Sequence, residues 1–203
     1  MAGPPSEALR TILEESRARG FLGEADIDAQ IAHAEGFAEA LGDVEPEVAL
    51  DLGAGGGLPG LVLASRWGAT RWILLDASER RTRFLIQAVS RLGLARRVTV
   101  ERGRAEDLAR GPDRGTVEVV TARGFGSPAV TLECGGGFLR PGGALVVSEP
   151  PDRVDRWPTD AVAALGFEVE PRTDGPYRVL RLTGTFPADR PRRVGIPTKR
   201  PLF

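Results

Sequence analysis

From Val48 onward, short apolar segments of strand-like composition alternate with segments whose apolar residues recur at helical spacing. The clearest helical pattern covers Glu79–Leu92, where an apolar stripe is closed by Gly93. Strands separated by helix-length connections imply right-handed crossovers and a parallel sheet covered on both faces. The predicted strands are Val48–Leu52, Trp72–Asp76, Val98–Glu101, Val117–Thr121, Ala144–Ser148, Phe167–Glu170 and Tyr177–Leu182.

The last two predicted strands are separated only by Pro171–Pro176, which leaves no room for a helix. They are therefore expected to form a hairpin, so that the final strand enters the sheet antiparallel. The predicted fold is α/β, a doubly wound, mostly parallel, Rossmann-like sheet of seven strands. An N-terminal helical segment precedes it, running from about Pro5 to Leu41 with a break near Gly20–Gly23.

The length of 203 residues fits one compact domain. Within it we distinguish a helical segment (1–46), a Rossmann-like core (47–184) and a basic tail (185–203) that packs on or near the core. No run approaches the roughly 18 apolar residues of a membrane span, and the N-terminus lacks the charged-then-apolar order of a signal peptide. No membrane association is therefore expected.

Single residues and the overall charge narrow the chemistry further. The only cysteine, Cys134, cannot form an internal disulfide, is expected to be a buried hydrophobe and fits the cytoplasm. The only histidine, His33, lies in the helical segment, so we expect no metal site. A formal net charge of −1 provides no global attraction to nucleic acid or membrane.

The strongest local signal is the stretch Asp51–Gly60, which follows an apolar strand and precedes a helical pattern. Gly53, Gly55 and Gly57 allow the backbone to turn sharply and to approach a ligand closely. Dinucleotide sites use a similar loop, and a tight turn without a ligand is a further alternative.

Two carboxylates favour one ligand over the others. Asp76 ends the second strand and is followed by Ala77, at the spacing where a carboxylate accepts hydrogen bonds from ribose hydroxyls; its alternative role is a helix cap. Asp51 lies two residues before the first glycine, where a site for an anionic pyrophosphate tends to be apolar. A carboxylate there suits a cationic sulfonium and ammonium, so S-adenosylmethionine is favoured over a nicotinamide dinucleotide.

Two later segments reach the same edge of the predicted sheet. Gly103–Asp107 follows the third strand and is placed to close over the adenine ring. Arg123 follows the fourth strand, at the carboxyl edge where doubly wound sheets bind ligands.

In these stretches the chain resembles the bacterial small-subunit ribosomal RNA guanine-N7 methyltransferases, also called glucose-inhibited division protein B. The matching stretches are Asp51–Gly60, Leu75–Leu85, Arg104–Glu106, Thr121–Arg123 and the tail Pro191–Leu202. The resemblance implies the class I S-adenosylmethionine-dependent methyltransferase fold, S-adenosylmethionine as cofactor, and ribosomal RNA or the small ribosomal subunit as partner. It also implies cofactor contacts at Gly53, Leu58, Ala105, Glu106 and Arg123.

The departures from this family lie on the substrate side. The family places a Lys-Gly pair directly after the fifth strand, where this chain has Ser148-Glu149-Pro150-Pro151. A carboxylate facing the site would repel RNA phosphates, so an RNA substrate requires Glu149 to point away or to pair with an arginine such as Arg123 or Arg153.

Guanine N7 carries a lone pair, so no general base is expected and Arg123 is a candidate positioning residue. Candidate phosphate contacts, with a solvated helix face and a docked tail as alternatives, are Arg80, Arg81, Arg83, Arg190, Arg192, Arg193, Lys199 and Arg200. Methyl transfer to a small molecule and non-catalytic cofactor binding stay open as other functions.

Overall fold

A computed structural model describes residues 6–42, 44–150, 152, 154–171 and 175–203. The helices are α1 (Glu7–Ala18), α2 (Ile27–Ala40), α3 (Gly60–Arg66), α4 (Glu79–Arg91), α5 (Ala105–Leu108), α6 (Pro128–Gly136), α7 (Thr159–Ala163) and α8 (Ile196–Lys199). The strands are β1 (Val48–Leu52), β2 (Arg71–Asp76), β3 (Val98–Arg102), β4 (Val117–Ala122), β5 (Leu139–Ser148), β6 (Phe167–Val169) and β7 (Tyr177–Leu182).

The strands form one sheet in the order β3-β2-β1-β4-β5-β7-β6. The pairs among β1 to β5 are parallel, and β7 is antiparallel to both β5 and β6. The predicted seven-stranded sheet with one reversed strand is therefore confirmed. Because the strand order reverses between β1 and β4, the crevice outside their carboxyl ends is the expected ligand site.

The N-terminal segment is two helices with a break at residues 19–26, as the pattern predicted; the predicted start at Pro5 lies outside the described residues. Each helix begins with a side-chain cap, since Ser6 accepts from the Leu9 amide and Asp26 from the Ala29 amide. Ser127 precedes α6, with Pro128 in the first turn, but its side chain makes no capping bond.

Strand β5 begins at Leu139, five residues before the predicted start at Ala144. Leu139 pairs with Val117, and the register then shifts before Val119 pairs with Ala144. The shift accommodates the Pro141–Gly143 stretch, whose composition is that of a turn.

Apolar residues pack on both faces of the sheet. Consecutive residues of β1 contribute to opposite layers, with Ala49 in the layer that contains α1 to α4 and Leu50 in the layer that contains α6. The tail contributes Phe186 to the second layer. The division at residues 46 and 184 stays a prediction.

Candidate functional site

Two adjoining cavities open at the carboxyl edge of the sheet. The β2–β3 cavity has a volume of about 210 Å³ and the glycine-loop cavity about 200 Å³. The β2–β3 cavity is lined by Gly53, Leu75, Asp76, Ala77, Arg81, Gly103, Arg104, Ala105, Glu106, Gly124, Phe125, Val130, Cys134 and Thr198. The glycine-loop cavity is lined by Phe21, Leu22, Gly23, Gly53, Ala54, Gly55, Gly56, Leu58, Arg81, Arg123 and Gly124.

Most of the sequence-predicted site residues meet here. Asp76, Ala77, Ala105 and Glu106 line the first cavity and Gly55, Leu58 and Arg123 the second, while Gly53 lines both. Asp51 and Gly57 line neither.

Gly55 joins the glycine loop to the end of β2. Its φ of +54° lies in the left-handed region, which a β-branched residue adopts only under strain. In that conformation the Gly55 amide donates to Asp76 Oδ2 at 2.9 Å. The loop is therefore held in shape by the carboxylate that lines the neighbouring cavity.

Asp76 is buried and has two further partners besides the Gly55 amide. Its Oδ1 accepts from the Ser78 amide at 2.7 Å, so the predicted turn-capping role is present. Arg81 lies 3.7 Å from Oδ2 and lines both cavities. The Asp76 carboxylate thus caps the turn through Oδ1 and holds the glycine loop through Oδ2, in the wall of the β2–β3 cavity.

Asp51 is 1% exposed and sits beneath the loop. Its Oδ2 accepts from the Gly60 amide at the start of α3 (2.8 Å) and its Oδ1 from Thr121 Oγ1 on β4 (3.1 Å). Burial raises the pKa of Asp51 to about 7, although these hydrogen bonds oppose the shift. The carboxylate ties three elements together at the centre of the carboxyl edge.

Glu106 is 2% exposed, and its carboxylate is used within the protein. Its Oε1 accepts from the Gly195 amide at 3.0 Å and lies 3.3 Å from Arg104 Nη2. Burial would raise the pKa of Glu106, but these donors outweigh it and hold the pKa below its ordinary value. The Glu106 side chain thus connects the cavity wall to the C-terminal tail.

Arg123 is half-buried at the end of β4. Its Nη2 donates to Gln30 Oε1 on α2 at 3.3 Å, while Nη1 is buried and has no hydrogen-bond partner among the described residues. Burial lowers the pKa of the guanidinium, against the favourable charge of Asp51. An arginine that lines a cavity with an unused donor is suited to an anionic group of a ligand.

The end of β5 carries a different arrangement. Ser148 Oγ lies 2.8 Å from His33 Nε2 on α2, and Tyr177 Oη donates to the His33 carbonyl at 2.6 Å. Burial, and then the charge of Arg123, lower the pKa of His33 below its ordinary value. His33 thus forms part of a polar link between α2 and the sheet.

Glu149 does not face the cavities. It is buried, and its Oε1 accepts from Trp157 Nε1 at 2.7 Å. The carboxylate is thus bonded to Trp157, and whether it is turned away from an RNA substrate stays a prediction. Arg153, one of the suggested arginine partners, lies outside the described residues, as does Pro151.

The candidate phosphate-binding residues divide into engaged and exposed groups. Arg192 is taken up by a hydrogen-bonded ion pair with the buried Glu133, so a phosphate contact for Arg192 is not supported. Arg80 lies over the Phe21 ring, Arg83 pairs with Glu79, and Arg190 pairs with Asp189. Arg193, Lys199 and Arg200 are exposed.

Several lining residues were missed by sequence reasoning. Phe21 and Leu22 belong to the break between α1 and α2, where an apolar pair inside a glycine-bounded turn was the available signal. Cys134, buried as predicted, lines the β2–β3 cavity, and burial raises its pKa to about 12, so it stays a thiol. Nothing in the sequence placed Thr198 of the tail at the same cavity.

Within the described residues, no helix combines the length and hydropathy that crossing a bilayer requires. The same part of the chain holds no group of three or more His, Cys, Asp or Glu side chains arranged for a metal ion.

Several solved structures that share this fold are described as methyltransferases. The O-methyltransferase from Bacillus cereus in complex with S-adenosylhomocysteine matches with a TM-score of 0.66 at 17% identity, covering 88% of this chain and 92% of that one. The O-methyltransferase TomG from Streptomyces achromogenes in complex with S-adenosylmethionine gives 0.65 at 18%, covering 89% and 92%. At these identities the likeness shows the fold, which is that of the class I methyltransferases.

Sequence comparison is more specific. Residues 33–150 match the family model described as GidB, rRNA small subunit methyltransferase G. The chain is 30% identical over 170 residues to the ribosomal RNA small subunit methyltransferase G of Syntrophomonas wolfei, covering 79% of each protein. It is 34% identical to the proteins of that name from Prochlorococcus marinus (78% of this chain, 69% of that one) and Frankia alni (80% and 66%). Because the matched region contains the glycine loop, Asp76 and Arg123, the chain belongs to the rRNA small subunit methyltransferase G family and is a methyltransferase that uses S-adenosylmethionine.

Proposed function

We propose that this enzyme methylates N7 of a guanosine in the RNA of the small ribosomal subunit, in the cytoplasm. One observation carries the proposal: the family match over residues 33–150 includes the segments that line the two adjoining cavities from β1 to β4. The relatives named above are methyltransferases of this RNA.

The two cavities divide the cofactor between them. The β2–β3 cavity takes the adenosine, because the Asp76 carboxylate there can accept from ribose hydroxyls and Ala77, Ala105 and Glu106 lie beside it. The glycine-loop cavity takes the methionine portion, where Gly53, Gly55 and Leu58 leave room for the chain. Asp51 and Gly57 act indirectly, through the shape and the electrostatic field of the loop.

Arg123 is the residue that orients the methionine portion. Arg123 lines the glycine-loop cavity, where its guanidinium is suited to pair with the carboxylate of that portion. A charge-assisted hydrogen bond of this kind contributes about 1.5–3 kcal/mol. Arg123 also ends β4, beside the space where an acceptor base must enter.

The main task of the protein in methyl transfer is to align the methyl donor with the acceptor base. Bound S-adenosylmethionine supplies a methyl carbon activated by its sulfonium, and neutral guanine presents a lone pair at N7, so no residue has to remove a proton before attack. The contribution of the chain is to orient the two partners and exclude water.

The RNA backbone is held by exposed cations near the cavity mouth. Lys199 and Arg200 directly follow Thr198, which lines the β2–β3 cavity, and Arg193 lies five residues before it, so these three are the tail residues suited to contact phosphates. Their contribution is expected to weaken as salt rises.

A second candidate, transfer to a small molecule, is favoured by the end of β5. There Ser148 bonds to His33 and Glu149 is buried against Trp157, in place of an exposed cation.

Radiolabelled methyl transfer distinguishes the candidates. We expect the protein to label small subunits from a strain that lacks this methyltransferase, and mass spectrometry to locate the product as N7-methylguanosine. Binding of S-adenosylhomocysteine without labelling of subunits or of free RNA would overturn the RNA assignment and leave the small-molecule or non-catalytic alternatives.

A further inference from the structure

The C-terminal tail is packed against α6 and does not extend freely from the core. A Cβ at Gly136 would collide with the Phe186 ring, and one at Gly137 would lie 3.1 Å from Pro191 Cδ. Arg114 reaches the tail from the other side, donating to the carbonyls of Pro187 (3.0 Å) and Arg190 (2.8 Å). The glycines that end α6 therefore let the tail approach closely.

A buried ion pair fixes the next turn of the tail. Glu133 on α6 is 0% exposed. Its Oε1 accepts from both Nε and the backbone amide of Arg192 at 2.8 Å, and its Oε2 accepts from Arg192 Nη2 at 2.6 Å. Removing one partner of such a pair leaves a buried charge uncompensated.

From this anchor the tail reaches the cofactor cavity. Three residues after Arg192, the Gly195 amide donates to Glu106 Oε1, and α8 then places Thr198 in the wall of the β2–β3 cavity. Glu106 lines the same cavity, so the tail contacts the cavity wall and forms part of it.

We propose that the tail completes the adenosine site, with Glu133 and Arg192 as positioning residues, and that cofactor binding and tail docking stabilise each other. The inference rests on the proposed assignment of adenosine to the β2–β3 cavity. Coupling between two such events is reciprocal: if docking improves affinity, binding must secure the tail by the same factor.

The direct test introduces a larger side chain into the wall of the β2–β3 cavity. Thr198→Phe is compared with Val194→Phe, since both residues are exposed in the tail but only Thr198 lines the cavity. By calorimetry with S-adenosylhomocysteine we expect Thr198→Phe to lose about tenfold or more in affinity, within the usual range of such couplings, and Val194→Phe to stay within about twofold of the wild type. Equal affinities for the two variants would overturn the inference.

The anchor is tested with Arg192→Ala against Arg96→Ala, an exposed arginine that lies before β3. Arg192→Ala is expected to weaken binding of S-adenosylhomocysteine by about five- to a hundredfold, with partial rescue in Arg192→Lys, while Arg96→Ala binds as the wild type does. If Arg192→Ala does not fold, judged by circular dichroism, Arg192→Gln decides, because it keeps much of the bulk and removes the charge: affinity equal to that of the wild type counts against the anchor.

Hydrogen exchange supplies the reciprocal readout. In the wild type, S-adenosylhomocysteine should slow exchange of the Gly195 amide, and unchanged exchange on saturation would overturn the coupling. Failure of the wild type to bind S-adenosylhomocysteine would instead remove the cofactor assignment itself, so the two failures are distinguishable.

Discussion

The polar side chains at the carboxyl edge of the sheet have different surroundings around β1 to β4 and at the end of β5. Around β1 to β4 they are held within the walls of open cavities, as with Asp76, or left with unused donors, as with Arg123. At the end of β5 they are joined to one another, His33 to Ser148 and Glu149 to Trp157.

This difference indicates which half of the site is prepared before its ligand arrives. Fixed hydrogen-bonding groups around open space lower the cost of ordering on binding. The cofactor half has that property, whereas groups that already satisfy each other gain little from a ligand. Affinity for an RNA acceptor is therefore expected to come from elsewhere, and the exposed cations of the tail are suited to supply it.

The largest expected effect concerns Asp51 and the pH dependence of stability. In the unfolded chain its carboxyl ionises around its ordinary pKa of 3.8, whereas the folded protein retains the proton until about pH 7. Because the folded state binds the extra proton in this window, the free energy of unfolding falls as pH rises from about 4 to about 7. Asp51→Asn should remove up to about 1.4 kcal/mol per pH unit of that slope, a total of about 4 kcal/mol.

Denaturant unfolding across that pH range measures the effect, and parallel curves for wild type and Asp51→Asn would contradict the raised pKa. Calorimetry gives a second check. Near pH 7 a sulfonium favours the ionised carboxyl, so S-adenosylmethionine should release more protons on binding than the neutral thioether of S-adenosylhomocysteine.

The next effect is on the loop. Gly55→Val should weaken S-adenosylhomocysteine binding by about a hundredfold or more, because a β-branched residue disfavours the φ of +54° and would displace the amide from Asp76. The matched control is Gly93→Val, which has a similar φ of +68° and open space but lies at the end of α4. Equal affinity in the two variants would mean that the loop does not shape the site.

The gathering of most predicted site residues at one edge of the sheet was predictable because its signals are local. The glycine run follows one apolar strand, and a carboxylate ends the next strand. Because the strands are parallel, both features are expected at the same edge of the sheet. The hairpin of β6 and β7 followed from a connection too short for a helix.

Long-range pairs were not predictable. Glu133 and Arg192 are 59 residues apart, and only the fold brings them together. A lone glutamate in the otherwise apolar and small α6 was the available hint, since a buried carboxylate needs a partner. Likewise, the first half of β5 was not predicted, because the composition of Pro141–Gly143 favours a turn. In the fold, pairing of Leu139 with Val117 overrides that local preference.

Asp76→Ala tests the ribose assignment. We expect a loss of about tenfold or more in affinity for S-adenosylhomocysteine, because one charged hydrogen bond is lost and the Gly55 amide loses its acceptor. Asp107→Ala, an exposed carboxylate on α5, is the control. Adenosine affinity measured alongside separates the two contributions: an Asp76→Ala variant that binds adenosine normally would place the ribose elsewhere.

The smallest effect is expected at the acceptor edge, in Glu149→Gln. Glutamine keeps an oxygen that can accept from Trp157 Nε1, and it removes the charge and replaces the other carboxylate oxygen by an NH2 group. If the carboxylate is turned away from the RNA, the KM for undermethylated small subunits should change by less than about twofold. A charge 4 Å from a phosphate would instead contribute about 4 kcal/mol of repulsion at an effective dielectric of 20, before salt screening. A KM that falls tenfold or more at low salt, and converges with the wild type as salt rises, would show that Glu149 faces the RNA and that the two edges differ less than their hydrogen bonds indicate.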